Sequence, residues 1–149
     1  SLAALPDSIG QLPSLETLHL SGCKNLAPLP ESTGQLSSLI TLHLHDISNL
    51  ASLPDSTCQL SSLETLNLSS CHSLRKLPEQ IGQLTSLTTL RLESCRSLTA
   101  LPNSIGQLSS LKTLDLYGCS NFSALPDFQF GQLSSLETLN LPGCSSLAS

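Results

Sequence analysis

Histidine and cysteine are the residues of this sequence whose types and spacing could support chemistry. His19 and His43 are separated by one full period of an internal repeat, and His45 follows His43 by two positions. If each period returns the chain to the same place, the three imidazoles stand together, because residues two apart on a strand point the same way. Such a group could ligate a transition metal, form a surface patch that titrates near neutral pH, or simply be polar surface. We expect no metal site and no cofactor.

Six cysteines offer a second kind of chemistry, but their spacing favours packing over pairing. Five of them recur at one phase of a repeat: Cys23, Cys71, Cys95, Cys119 and Cys144. Neighbours in this series could lie about 5 Å apart, within reach of a disulfide. A small thiol that packs inward already explains the recurrence, so we expect reduced thiols and a reducing compartment. Cys58 stands where the other repeats have glycine, as a reactive thiol or, in the preferred interpretation, as drift of the repeat.

No catalytic motif accompanies these residues. The sequence has no G-x-S-x-G, glycine-rich phosphate loop, H-E-x-x-H or C-x-x-C. Only 11% of residues are charged and the net charge is −5, which argues against nucleic acid and against a polybasic membrane anchor. No apolar run approaches the roughly 18 residues that span a bilayer. We expect neither an enzyme nor a partner among nucleic acids and membranes.

The elements that must position these side chains follow from a strict internal repeat. Leu-Pro pairs begin at equal intervals, at Leu5, Leu29, Leu53, Leu77, Leu101 and Leu125. The 149 residues include 36 Leu and 28 Ser but no Val, Met or Trp. So uniform a core packs well only if one local environment recurs many times. A period of about 24 residues indicates a solenoid, in which each unit buries its apolar face against its neighbours.

Each unit carries a pattern that alternates leucine with polar residues. In the first unit Leu15, Leu18, Leu20 and Cys23 follow the spacing L-x-x-L-x-L-x-x-C. This resembles the leucine-rich-repeat signature, and the resemblance covers essentially the whole chain. It implies an α/β solenoid: a horseshoe with a parallel β-sheet on the concave face and short 3₁₀ turns on the convex face. We expect residues 1–149 to form one domain of six repeats, each of about 24 residues.

The segment that follows each Leu-Pro pair and leads to the next strand is predicted from its proline, capping and glycine residues. Pro6 restricts φ, Asp7 or Ser8 is expected to cap a short helical turn, and Gly10 is expected to end it in a left-handed conformation. At the cysteine position the second unit has Ile47, which cannot donate a side-chain hydrogen bond. We expect that turn to be less well satisfied than the others.

The outward strand positions vary while the framework stays constant. Between the strand leucines, successive units carry His19, His43, Asn67, Arg91, Asp115 and Asn140. Diversity on a uniform backbone is typical of a recognition surface, although exposed positions also tolerate change in general. We predict a concave site for a protein or peptide partner, formed by His19, His43, His45, Asn67, Arg91, Glu93, Asp115 and Tyr117. Arg91 and Tyr117 rank first, because Arg and Tyr are enriched at interface hot spots. Asp115 could instead pair with Arg91 across the surface.

The particular residues of the repeat unit also resemble one group within the leucine-rich-repeat family. The stretch L-P-N-S-I-G-Q-L from Leu101 to Leu108, followed by Leu111 to Cys119, is similar to repeats of plant intracellular immune receptors of the nucleotide-binding leucine-rich-repeat type. In that family the repeats sense pathogen-derived or host proteins and restrain a nucleotide-binding switch. The resemblance implies a sensor region, because no nucleotide-binding segment is present. The G-x-I-P stretch of secreted plant repeats is missing, which favours the cytoplasm. A passive structural spacer is the alternative.

The two ends lack the polar caps that solenoids usually carry. The chain begins within a unit at Ser1 without Met or a signal-peptide core, and it stops at Leu147–Ser149. We therefore expect it to be part of a longer protein. We expect leucines to be exposed at both ends and to promote end-to-end self-association. The last unit has one extra residue around Phe128–Phe130, which is expected to begin a cap or a bulge.

Overall fold

Each unit contributes one three-residue strand to a single parallel sheet. The computed structural model describes residues 2–126 and 131–146. Within them the sheet has six strands in chain order: Thr17–His19 (β1), Thr41–His43 (β2), Thr65–Asn67 (β3), Thr89–Arg91 (β4), Thr113–Asp115 (β5) and Thr138–Asn140 (β6). Neighbours in sequence are therefore neighbours in space, as the constant period requires. The predicted parallel-sheet solenoid is confirmed.

The register of the sheet repeats from strand to strand. Thr17 lies opposite Thr41, Leu18 opposite Leu42, and His19 opposite His43. The ladder continues past the strand ends, where the Leu20 N–H donates to the His43 carbonyl at 2.9 Å. The step from β5 to β6 is longer than the others, yet Thr113 still pairs with Thr138. The extra residue at Phe128–Phe130 lies outside the described residues, and the register of the sheet is kept across it.

The leucines form one continuous core behind the sheet. Both strand leucines of each of the four interior units have no exposed surface: Leu42, Leu44, Leu66, Leu68, Leu90, Leu92, Leu114 and Leu116. Full burial of one such side chain stabilises a fold by about 1.5–3 kcal/mol. The outer units are less covered, and Leu139 in β6 remains 39% exposed. Each unit therefore depends on neighbours on both sides.

The convex side consists of short 3₁₀ turns, as predicted. They span Asp7–Gln11 (η1), Glu31–Gln35 (η2), Asp55–Gln59 (η3), Ile81–Gln83 (η4) and Asn103–Gln107 (η5). None of these turns exceeds five residues, and in the described part of the chain no helix has the length and apolarity to cross a membrane.

Side-chain capping by Asp7 or Ser8 was a wrong prediction. The residue that caps η1 is Pro6, which lies in the extended region and makes no side-chain capping bond. Its carbonyl instead accepts a hydrogen bond from the Ile9 N–H at 3.0 Å. Asp7 lies in the first turn, where its negative charge faces the positive end of the turn.

The left-handed position predicted for Gly10 lies elsewhere in the unit. One residue per unit, just after the strand, has φ between 57° and 83°: Gly22, Asp46, Ser70, Ser94, Gly118 and Gly143. Gly10 is required for a different reason, because a Cβ there would lie 2.4 Å from the Ser32 carbonyl oxygen of the next unit. At Gly34 the corresponding distance to the Ser56 carbonyl oxygen is 2.3 Å. This glycine position is set by close stacking of the turns.

At this crowded position the third unit has Cys58 instead of glycine. The residue that Cys58 faces in the next unit, at the position that Ser56 holds opposite Gly34, is Gln80, whose φ of −98° and ψ of 17° place it outside the 3₁₀ turn. The turn η4 is accordingly shortened to three residues. A cleft of about 170 Å³ lies between the third and fourth units at this point, lined by Asp55, Lys76, Pro78 and Gln80 among others. The Cβ of Cys58, at a position where glycine packs closely against the next unit, accounts for the changed backbone conformation at Gln80.

Candidate binding surface

The sheet face that points away from the leucine core is the surface on which the sequence varies. We call it the concave face and define it by two sets of residues. The first lies between the strand leucines: His19, His43, Asn67, Arg91, Asp115 and Asn140. The second lies two residues further along and includes His45, Ser69, Glu93 and Tyr117. The repeated register brings all eight residues of the predicted site onto this one face, because residues two apart on a strand share a face.

The three histidines predicted to meet do so. The ring centroids of His19 and His43 are 4.5 Å apart in an edge-to-face arrangement. Those of His43 and His45 are 6.2 Å apart, again edge to face. Burial lowers the pKa of His43 below its ordinary value of 6.5, and the neighbouring His19, His45 and Arg91 lower it further. The His43 imidazole is therefore mostly neutral at pH 7.

The side chains of this cluster do not converge on a common point. Across the residues that the structure describes, no group of three or more His, Cys, Asp or Glu side chains is arranged to hold a metal ion. Instead, the His45 Nδ1 faces the Asp46 Oδ2 at 3.4 Å, at the surface. The arrangement can exchange protons and bind anions through N–H donors.

Asp115 does not pair with Arg91, although the two lie opposite each other in register. Its Oδ1 accepts one hydrogen bond from the Tyr117 N–H at 3.0 Å and another from the Asn140 Nδ2 at 3.1 Å. An Asp side chain reaches the backbone N–H two residues on without strain, and this local bond holds the carboxylate away from Arg91. Asn67 makes the same contact with the Ser69 N–H at 3.0 Å.

One further contact orders the polar part of the concave face. The Ser69 hydroxyl donates to the Glu93 Oε2 at 3.2 Å, which joins β3 to the next unit. Ser69 and Asn140 were not among the predicted site residues, although each lies about one repeat away from the carboxylate that it holds. Tyr117 remains 53% exposed, so its ring is available to a partner. Arg91 is also exposed, and within the described residues it has no ion-pair partner.

A ladder of thiols lies beneath the concave face and keeps the units in phase. From the third unit onward these thiols donate to a backbone carbonyl of the preceding unit, as Cys95 does to Leu68 at 3.1 Å and Cys119 to Leu92 at 3.0 Å. All six cysteines are free. Burial raises the pKa of Cys71 to about 11, although the Ile47 N–H against its sulfur partly lowers it. These thiols are therefore protonated donors, not nucleophiles.

Cys58 and Ile47 each differ from the residue that the other units have at the same position of the repeat. Burial raises the pKa of the Cys58 thiol to about 11, with a contribution from Asp55, which makes it unreactive. In the described units, the N–H at the cysteine position donates to the carbonyl three residues earlier in every unit except the second, where Ile47 stands. Ile47 also has no thiol to donate to the preceding unit. The second unit therefore lacks both of these bonds, as expected, although the Ile47 N–H lies against the Cys71 sulfur.

Comparison with known families agrees with this geometry. A family model described as a leucine-rich repeat region matches residues 66–148, more than half of the chain. A second model, described as Zer-1-like leucine-rich repeats, matches residues 7–79. The chain belongs to the leucine-rich-repeat family. No curated protein sequence matches it significantly.

Solved structures show the same fold. The leucine-rich repeat domain of the type III effector XopL is 30% identical with a TM-score of 0.78, over 94% of this chain and 57% of that one. A TDR receptor is 25% identical with a TM-score of 0.55, over 93% of this chain and 28% of the receptor. The BIR3–SERK2 complex from Arabidopsis thaliana is 24% identical with a TM-score of 0.59, over 86% and 70%. The chain thus spans little more than half of the effector domain.

Proposed function

We propose that this chain is a protein-recognition module that binds a protein or peptide partner across the concave face. The observation that carries the proposal is the contrast between a constant backbone and a changing surface. Thr and Leu repeat in register along all six strands, while the residues beside them run through His, Asn, Arg and Asp. The similarity to receptor and effector repeat domains supports a binding role over an enzymatic one.

Arg91 and Tyr117 are the proposed anchors within this site. Both are exposed, both point from the concave face, and neither side chain has a partner that would have to be displaced within the described residues. Arg and Tyr contribute disproportionately to binding, and removal of one hot-spot side chain costs about 2 kcal/mol or more. Loss of either is expected to weaken binding about 30-fold.

Affinity capture from plant cytosolic extract, followed by mass spectrometry, tests the proposal. The bait is compared with an Arg91→Ala, Tyr117→Ala, His43→Ala variant whose fold is verified by circular dichroism. A matched control carries Arg96→Ala and His72→Ala, an Arg and a His that lie in the loops after the strands. We expect a partner that the chain and the control retain and the concave variant loses. A partner retained by all three places recognition elsewhere, and an empty capture from all three favours a passive spacer.

For the cellular setting, we propose the sensor region of a plant intracellular immune receptor, acting in the cytoplasm. Two observations support this setting: the resemblance of Leu101 to Cys119 to plant immune-receptor repeats, and the six free thiols. An antibody raised against this chain should detect the parent protein in the cytosolic fraction of plant tissue. Detection only in the extracellular wash would contradict the proposal.

We also propose that the isolated chain associates end to end. Leu12 is 47% exposed in the first unit and Leu139 is 39% exposed in the last, whereas their counterparts Leu36 and Leu114 are fully buried. Light scattering over a concentration series should give an apparent mass that rises with concentration. A Leu12→Ser, Leu139→Ser variant should remain closer to a monomer, and a strictly constant monomer mass for the unaltered chain would contradict end-to-end association.

A further inference from the structure

The N-terminal half of the concave face carries a line of nitrogen-bearing side chains that crosses the strands. His19, His43 and Arg91 occupy the same register position of β1, β2 and β4, with Asn67 between them on β3. His45 lies beside His43, with its ring centroid 6.2 Å away. Within the described residues, His19, His43 and Arg91 have no carboxylate partner. We call these four residues, His19, His43, His45 and Arg91, the histidine stripe.

Burial, and to a lesser extent like-charged neighbours, disfavour the protonated form of His43, which lies at the centre of the stripe. Desolvation lowers the pKa of His43 most, followed by His19, His45 and Arg91 in turn. Each of these neighbours is a cation or becomes one, so protonation of His43 places like charges side by side. An anion on the stripe would remove this repulsion and would bind more tightly as the imidazoles take up protons.

The carboxylates around the stripe are already engaged or lie at its margin. Asp46 faces His45 at 3.4 Å from the turn after β2. Glu93, after β4, accepts a hydrogen bond from Ser69, and Asp115, opposite Arg91 on β5, accepts hydrogen bonds from the Tyr117 N–H and from Asn140. Glu16 and Glu64 lie just before β1 and β3, at the margin of the stripe. None of them lies between two members of the stripe in the register, so the line from His19 to Arg91 is open to an external anion.

We propose that the histidine stripe binds a carboxylate-rich peptide segment of the partner, with an affinity that rises as the pH falls from about 8 to about 6. The inference rests on the proposed function, because it names the chemistry of the segment that docks on the same face. From β1 to β4 there are three strand spacings, or about 14 Å, which an extended peptide covers with about four or five residues. Acidic side chains at alternate positions of such a segment are about 7 Å apart, so two or three of them would lie over the stripe.

Fluorescence polarisation with a labelled peptide that alternates glutamate with glycine measures this binding directly. EDTA in the buffer prevents a metal ion from bridging the imidazoles. We expect the dissociation constant at about pH 6 to be roughly tenfold lower than at about pH 8, since contacts of modest strength from three imidazoles at the surface add together. A peptide with glutamine in place of glutamate should bind weakly at both pH values. Equal binding of the two peptides, or equal affinity at the two pH values, would overturn the proposal.

Matched variants assign the effect to the stripe. The His19→Gln, His43→Gln, His45→Gln variant should lose the tightening at low pH and keep a weak, pH-independent attraction through Arg91. His72→Gln, which changes the one histidine outside the stripe, should behave as the unaltered chain does. Should the triple variant fail to fold by circular dichroism, NMR titration of the unaltered chain decides: the peptide should raise the pKa of His43, and an unchanged titration contradicts the proposal.

The outcomes separate this inference from the proposed function. If capture of the partner depends on Arg91 and Tyr117 but the acidic peptide shows no dependence on pH, the stripe proposal fails and concave recognition stands. If the peptide binds through the histidines while partner capture ignores the concave variant, the stripe stands and the proposed function fails.

Discussion

Single side chains hold adjacent units together through the backbone. The buried thiols donate to carbonyls of the preceding unit, so each cysteine satisfies an acceptor that lies about one repeat away in the sequence. A buried carbonyl without a donor is costly. Serine hydroxyls on the surface make similar links between units, as Ser86 does with the Ser61 carbonyl at 2.7 Å. At the scale of the residue, the fold is a series of such small contacts.

The thiol ladder makes stability sensitive to alkaline pH. Burial raises the pKa of Cys71 and of Cys119 to about 11, and burial also raises the pKa of Cys95, with Cys71 and Cys119 adding to the effect. Above about pH 9 the unfolded chain releases thiol protons that the folded chain retains, so the free energy of unfolding falls as the pH rises from about 9 to 11. Denaturant unfolding under reducing conditions measures this slope. In Cys95→Ala it should be shallower by up to about 1.4 kcal/mol per pH unit; an unchanged slope contradicts this.

The left-handed position after each strand allows a stabilising change. Ser70 has φ 59° at a position where three other units have glycine. A left-handed residue with a Cβ costs roughly 1–2 kcal/mol, and the flexibility of glycine offsets about half of the gain. Ser70→Gly should therefore raise the free energy of unfolding by about 0.5–1 kcal/mol. The control is Ser62→Gly, outside this position, which should give no gain.

At the scale of the element, the convex turns are positioned by steric limits between units. Gly34 lies so close to η3 that a Cβ would meet the Ser56 carbonyl oxygen at 2.3 Å. Where Cys58 replaces this glycine, η4 begins later and a cleft opens beside it. One substitution in the repeat has thus changed the geometry of the next element, because the turns stack without intervening space.

A pair of alanine variants tests this interpretation. Gly34→Ala should lower the free energy of unfolding by about 1–3 kcal/mol, since the new methyl group has to displace backbone. Cys58→Ala introduces no new Cβ and should cost less than Gly34→Ala. Thermal and denaturant unfolding of both variants measures the difference. Equal costs would show that the glycine position is not set by stacking.

At the scale of the whole molecule, stability is distributed along the stack. Interior units bury both strand leucines completely, whereas the outer units leave Leu18, Leu139 and Leu141 partly exposed. In a solenoid each unit interacts only with its neighbours, so the loss of contacts in the middle separates two halves. The ends contribute less because each has one neighbour instead of two.

Matched leucine substitutions should therefore differ according to position. Leu90→Ala, in β4, should cost about 2–5 kcal/mol, because the side chain is fully buried. Leu139→Ala occupies the same strand position in β6 but is 39% exposed, and should cost less than about 1 kcal/mol. Unfolding curves for the two variants give the comparison, and similar costs would contradict a gradient of stability along the stack.

The sequence by itself determined the architecture and the composition of the concave face. A constant period requires equal steps along the stack, and alternation of leucine with polar residues decides which side chains point outward. From those two facts the parallel sheet, its register and the meeting of His19, His43 and His45 all follow. The exposure of Arg91 and Tyr117 also follows, because both lie at outward positions. Whether these residues bind a partner stays a prediction.

Only the tertiary structure decided which local conformations and hydrogen bonds the turns and polar side chains adopt. The capping role expected for Asp7 or Ser8 is taken by the Pro6 carbonyl, and the left-handed conformation expected at Gly10 lies at Gly22. Asp115 bonds to the Tyr117 N–H and Asn140 instead of pairing with Arg91. The physical reason is common to all three: these choices depend on which of several nearby donors and acceptors the folded backbone brings within reach. Spacing along one chain does not specify such distances.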